Sequence, residues 1–146
     1  MDELILSARR AHANTFVMYF KAHSYHWNVE CRNFAEMHQF FNGLYDDLWN
    51  AVDPLAEEMR ALQAYAPISL TELYNYKTIA EDTEKPDNVQ TMVLNLIGAN
   101  IEVLDSLNKL FKACTDQNKQ GFANFVAERI DMHEKHGWML RSFTKE

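Results

Sequence analysis

The sequence predicts an all-α fold: a bundle of four main helices, with a short extra helix in the long connection between the second and the third. Gly and Pro are scarce, four and three residues in 146, while Leu, Ala, Met, Glu and Lys are plentiful, which favours long helices over a turn-rich sheet. Apolar residues recur every three or four positions along most of the chain, the period of an amphipathic helix. The length suits one domain, residues 1–146, with a core large enough to need no cross-links.

The first helix is expected from Leu4 to about Trp27, on the stripe Leu4, Ala8, Ala11, Met18, Ala22 and Tyr25. Asn28 to Arg32 breaks it, and Asn33 followed by Glu36 reads as a capping box opening the second helix. That helix carries Phe34, Met37, Phe41, Leu44, Leu48, Val52, Leu55 and Met59 as far as about Gln63, a rod of about 45 Å. Ala64 to Asn88, with Pro67 and the acidic run Glu81 to Pro86, is too long for a tight turn. Ser69 with Glu72 caps a short helix inside it. The third main helix runs from near Val89 to Cys114 on Val93, Leu96, Ile97, Ile101, Leu104, Leu107 and Phe111, and the fourth from about Lys119 to Phe143.

Charge narrows the function. The net charge is −7 and the chain starts Met1-Asp2-Glu3, so neither end offers a lysine-rich arm for phosphate, and DNA binding through a tail is disfavoured. An acidic surface suits cations. Cys31 and Cys114 form no CxxC pair, which points to free thiols in a reducing compartment and to a cytoplasmic protein. No apolar run reaches the roughly 20 residues that span a bilayer.

One stripe of the second helix is not core-like. His38, Asn42, Tyr45, Trp49, Asp53 and Glu57 are spaced four, three, four, four and four apart, so they lie along one face. Asp53 and Glu57, one turn apart, can hold one cation between their carboxylates, and His38 can add a nitrogen ligand. His38 lies fifteen residues before Asp53, about 22 Å along a straight helix, while metal–ligand bonds are about 2 Å. One helix cannot bring them together. A two-fold axis crossing an antiparallel copy of the same helix near residues 45 to 48 can, and it creates two equal sites. Gly43 would let the helices approach there, and His26 can fold back beside His38 across the short turn.

The run His26-Trp27-Asn28-Val29, then Phe34, His38, Tyr45 and Asp53-x-x-Ala56-Glu57, together with the terminal His136-Gly137-Trp138-Met139-Leu140-Arg141, strongly resembles the Dps family of mini-ferritins. The resemblance implies a ferritin-like four-helix subunit, a homo-oligomeric, dimer-based hollow dodecamer, and ferroxidase sites that oxidise Fe(II) with hydrogen peroxide or dioxygen and store ferric mineral. It implies His26 and His38 as iron ligands from one subunit, Asp53 and Glu57 from its partner, with Asn42 and Tyr45 behind them and Trp27 and Trp49 as nearby radical-scavenging aromatics. Asp116, Glu128 and Asp131 would line an acidic three-fold pore. A DNA-compacting cage is the alternative, disfavoured by about −84 formal charges on twelve copies. An intrachain di-iron site would need Glu-x-x-His pairs, and the chain has none.

Several positions depart from that pattern. Asn42 stands where many members carry an acid, and an amide is a weaker ligand for iron. Cys31 replaces a usual glycine, so the turn either needs no positive φ or is reshaped. Pro54 directly after Asp53 is expected to kink the helix at the site and shift Asp53 relative to Glu57. Glu58 adds a further acid. His23 with His26, and His133 with His136, form H-x-x-H pairs able to bind a divalent ion, although exposed histidines near a helix terminus commonly only cap it.

Overall fold

The computed structural model describes residues 2–145, and the elements are α1 (Glu3–Asn28), α2 (Phe34–Ala61), α3 (Leu70–Tyr76), α4 (Val89–Asp116) and α5 (Gln120–Ser142). No strand occurs among the described residues. The predicted fold class is therefore observed, with each main boundary within two residues of the sequence expectation.

Four long helices form two antiparallel hairpins, α1 with α2 and α4 with α5, and α1 packs against both α2 and α4. The register of α1 on α4 is pinned at both ends: Gln117 donates to Asp2 at 2.8 Å and Asn95 donates to the Tyr25 hydroxyl at 3.1 Å. Between them lies the core, including Leu4, Met18, Tyr25, Phe41, Leu48, Leu55, Met92, Leu96, Leu107 and Leu140, all fully buried. Removing one of the larger side chains would cost about 3 kcal/mol or more through lost burial and the cavity left behind. Ile101 and Phe111, counted on the apolar stripe of α4, stand exposed, because that helix is apolar around more than one face.

Helix ends follow local chemistry. Asp2, Ser69 and Asn88 cap their helices with side-chain oxygens, as orphan N-terminal N–H groups require. Asn33 stands at the start of α2, but its side chain makes no capping bond, so the capping box expected with Glu36 does not form. Helices α2 and α4 both end in paired reversals: Ala64 N–H reaches the Met59 carbonyl and Lys119 N–H the Cys114 carbonyl. These place Gln63 at φ 67° and Asn118 at φ 59°, the left-handed position usually given to glycine. Cys31 has no positive φ, so the α1–α2 turn does without the glycine.

The long connection carries α3 back across α1. Arg9 pairs with Glu72 at 3.1 Å, and Asn14, fully buried, bonds the Thr78 side chain and backbone at 2.9 and 2.8 Å. This leaves the α1–α2 hairpin with one outward face, on which the histidine and carboxylate stripe lies.

Candidate metal centre

The short α1–α2 connection sets the last turn of α1 against the first turns of α2. There His26 Nδ1 lies 2.8 Å from the His38 carbonyl, and His38 Nδ1 lies 2.7 Å from the His26 carbonyl. A carbonyl oxygen can only accept, so both protons sit on Nδ1 and both Nε2 atoms keep a lone pair. The two rings stack at 3.7 Å, with Phe34 behind His38 at 5.0 Å and Tyr45 edge-on to His26 at 5.1 Å. Each half-buried imidazole is thus fixed in tautomer and orientation, the arrangement by which outer-shell bonds prepare a metal-ligating histidine.

An aromatic cluster continues from this pair. Tyr45 stacks on His23 at 3.8 Å and donates its phenol proton to Asn42 Oδ1 at 3.0 Å. The Tyr19 hydroxyl meets His23 Nδ1 at 2.9 Å, and the Tyr19 ring lies 5.0 Å from Trp49. Trp27 lies 4.2 Å from His23. Burial, followed by the neighbouring His26, lowers the affinity of His23 for a proton. With its Nδ1 engaged by Tyr19 and its face covered by Tyr45, His23 does not join His26 as a ligand pair. Tyr19 was not anticipated from the sequence, although it stands one turn before His23.

Asp53 and Glu57 are both exposed, one turn apart near the other end of α2, and neither carries a hydrogen bond or ion pair among the described residues. Helix α2 continues without interruption through Pro54. Within one chain, no three His, Cys, Asp or Glu side chains converge on a point among the described residues. The chain therefore presents two separate donor sets: two imidazoles at one end of α2 and two unpaired carboxylates near the other.

The second H-x-x-H pair differs from expectation. His133 and His136 are not exposed terminal residues but are buried, at 0% and 5% exposure. Arg129 donates through two nitrogens to Asp47 at 3.0 and 2.9 Å, and His136 Nε2 meets the same carboxylate at 2.7 Å. Arg129 also donates to His133 Nε2 at 3.2 Å, and His133 Nδ1 lies 2.8 Å from Asn100 Oδ1. Burial works to raise the Asp47 carboxyl, but the bonds from His136 and Arg129 outweigh it and hold the group well below the usual carboxylate range. His133 is held neutral by burial and then by Arg129. The cluster ties α2, α4 and α5 together, and both nitrogens of His133 and Nε2 of His136 are engaged within it. Of its members Asp47, Asn100 and Arg129 went unnoticed in the sequence, where nothing distinguishes them from surface polar residues.

The acids assigned to a pore, Asp116, Glu128 and Asp131, are exposed at or beyond the α4–α5 connection. Asp116 pairs with Lys112 at 2.8 Å and Asp131 with Lys135 at 3.3 Å. Burial, and then the charge of Glu58, push the Cys114 thiol up to about 11. No helix among the described residues is long and apolar enough to cross a membrane.

A family model described as a ferritin-like domain matches residues 9–146. The chain is 27% identical over 131 residues to a DNA protection during starvation protein of Brevibacillus brevis, covering 90% of this chain and 87% of that one. Its fold matches the crystal structure of Dps from Thermosynechococcus elongatus with a TM-score of 0.94 at 21% identity, over 98% of this chain and 90% of that one. A Dps protein of Vibrio cholerae, described as a member of a broad superfamily of ferritin-like diiron-carboxylate proteins, matches with a TM-score of 0.91 at 26% identity, over 97% and 89% of the two chains. With its helix order, its long α2–α3 connection and the stripe on α2, the chain belongs to the ferritin-like family, in its Dps branch.

Proposed function

We propose that this protein is a ferroxidase and iron store: it binds and oxidises Fe(II) at centres shared between two copies of the chain and holds the ferric product inside a homo-oligomeric, dodecameric cage. The observation that carries this reading is the reciprocal His26–His38 pair, which spends both Nδ1 protons on backbone carbonyls and leaves both Nε2 lone pairs available. Asp53 and Glu57, exposed and unpaired, supply the carboxylates. Because these half-sites lie at opposite ends of one face, an antiparallel second copy completes each from the other.

Imidazole nitrogens and carboxylates together suit iron, and four such donors leave open positions for an oxidant. Hydrogen peroxide or dioxygen accepts the electrons. With peroxide, two Fe(II) give one electron each, the O–O bond breaks, and two protons complete two waters. The carboxylates stabilise the ferric ion that forms, and hydrolysis of that ion releases protons and gives mineral. Trp27, Trp49 and Tyr45 stand where a stray oxidising equivalent would meet an aromatic ring first. Asp116, Glu128 and Asp131 would draw Fe(II) toward an entry pore. With the charge of −7 and the free thiols Cys31 and Cys114, a cytoplasmic setting is the natural one.

Mixing two defective chains tests the shared centre. His38→Ala and Glu57→Ala are each expected to abolish the rapid absorbance rise on Fe(II) and peroxide addition. Co-assembled in equal amounts, they should recover about one quarter of the wild-type rate, because half of the dimers are hybrids and each hybrid holds one intact site. Full activity in either single variant, or none in the mixture, would remove the assignment.

A further inference from the structure

We propose that each shared centre takes one divalent cation and not two, and that Asn42, held by Tyr45, sets that number. The inference rests on the ferroxidase reading above and deepens it.

Asn42 stands one turn beyond His38 on the same stripe, where its oxygen is the next donor a second cation beside the histidines would meet. That oxygen is neutral and one of its two lone pairs is taken, since the Tyr45 phenol donates to Oδ1 at 3.0 Å. Tyr45 is itself held, stacked on His23 at 3.8 Å with planes 8° apart and edge-on to His26. The amide is thus tied to a ring that cannot turn away without unstacking.

Charge leads to the same count. Two neutral imidazoles and two carboxylates carry two negative charges, which one divalent cation balances. A second divalent ion at the ~4 Å spacing of two-metal sites would add two positive charges with no further anion to meet them. The nearby acids do not fill that role. Asp46 is eight residues along α2 from His38, a rise of about 12 Å. Asp47 is committed to Arg129 and His136, and Glu58 lies off the stripe, about 100° around the helix from Glu57.

Titration of the assembled, tag-free protein with Co(II) in the absence of oxygen, followed by calorimetry and by visible absorbance of the bound ion, reads the number directly. Of the other histidines, His12, His133 and His136 are buried, and His23 is half-buried, stacked on Tyr45 with its Nδ1 held by Tyr19, so stray imidazole sites do not blur the endpoint. One ion per chain is expected for the wild type and for Asn42→Leu, and two per chain for Asn42→Asp. If Asn42→Asp fails to assemble, Asn42→Glu offers a second carboxylate at the same place. Two ions per chain in the wild type would overturn the inference and leave the ferroxidase reading standing, whereas no specific binding in the wild type would overturn both. An assembled Asn42→Asp or Asn42→Glu protein that still holds one ion, or an Asn42→Leu protein with affinity about tenfold weaker, the effect of a lost ligand or outer-shell partner, would remove the role given to Asn42.

Discussion

His26 and His38 hold each other: each ring donates its Nδ1 proton to the other's backbone carbonyl, at 2.8 and 2.7 Å, across twelve residues of sequence. A substitution that removes one ring frees the carbonyl that ring was bonded to and removes the stacking partner, but the other ring keeps its own bond to a backbone carbonyl. Long-range nitrogen–proton NMR spectra of the metal-free protein should therefore show both histidines as Nδ1–H tautomers. His38→Gln should leave His26 as the Nδ1–H tautomer, because its acceptor is the backbone carbonyl of position 38, which glutamine also supplies. An Nε2–H signal for either residue in the wild type would contradict the arrangement.

Asp47→Ala should destabilise the protein by about 3 kcal/mol, because it leaves Arg129, one tenth exposed, without its carboxylate. Asp47→Asn should cost less, since the amide oxygen still accepts a hydrogen bond while the charge is lost. Urea unfolding at fixed protein concentration measures both, and a loss under 1 kcal/mol for Asp47→Ala would show that the cluster relaxes around Arg129.

Stability should fall as the pH drops below about 6.5. His133 and His12 are buried and both are shifted below their ordinary value of 6.5, in each case chiefly by burial. The unfolded chain takes up protons there and the folded chain does not, so each such group removes up to about 1.4 kcal/mol per pH unit. Asp47, shifted below 3.8, contributes above that value and loses its contribution only in stronger acid, outside this window. Unfolding midpoints that are flat or rise from pH 7.5 to 5.5 would run against this sign.

Gln63→Gly should stabilise the protein by about 0.5–1 kcal/mol. Gln63 ends α2 at φ 67°, where a side chain costs about 1 kcal/mol that glycine avoids, less the entropy glycine brings to the unfolded chain. The Met59 and Arg60 carbonyls remain bonded to Ala64 and Gln63 N–H in either case. A lower melting temperature for Gln63→Gly would mean that the side chain makes up for its conformation.

The assembled protein should not retard duplex DNA in a gel at 0.1 M salt, since its charge of −7 per chain repels phosphate. Clear retention would favour a DNA-coating role over iron storage.

Much of this molecule is legible in residue order, because helices are local. Apolar spacing located α1, α2, α4 and α5 to within two residues, and Ser69 with Glu72 marked α3 through a hydrogen bond between side chain and backbone three positions on. The stripe His38, Asn42, Tyr45, Trp49, Asp53 and Glu57 follows from the same period. Tertiary structure decided what depends on partners distant in sequence. His133 and His136 look in sequence like an exposed metal pair, yet Asp47, more than eighty positions earlier, converts them into a buried tie between helices. The Nε2 atoms of His26 and His38 are free for the same kind of reason. Which nitrogen holds the proton is set by a carbonyl twelve residues away, brought within reach only when the hairpin closes.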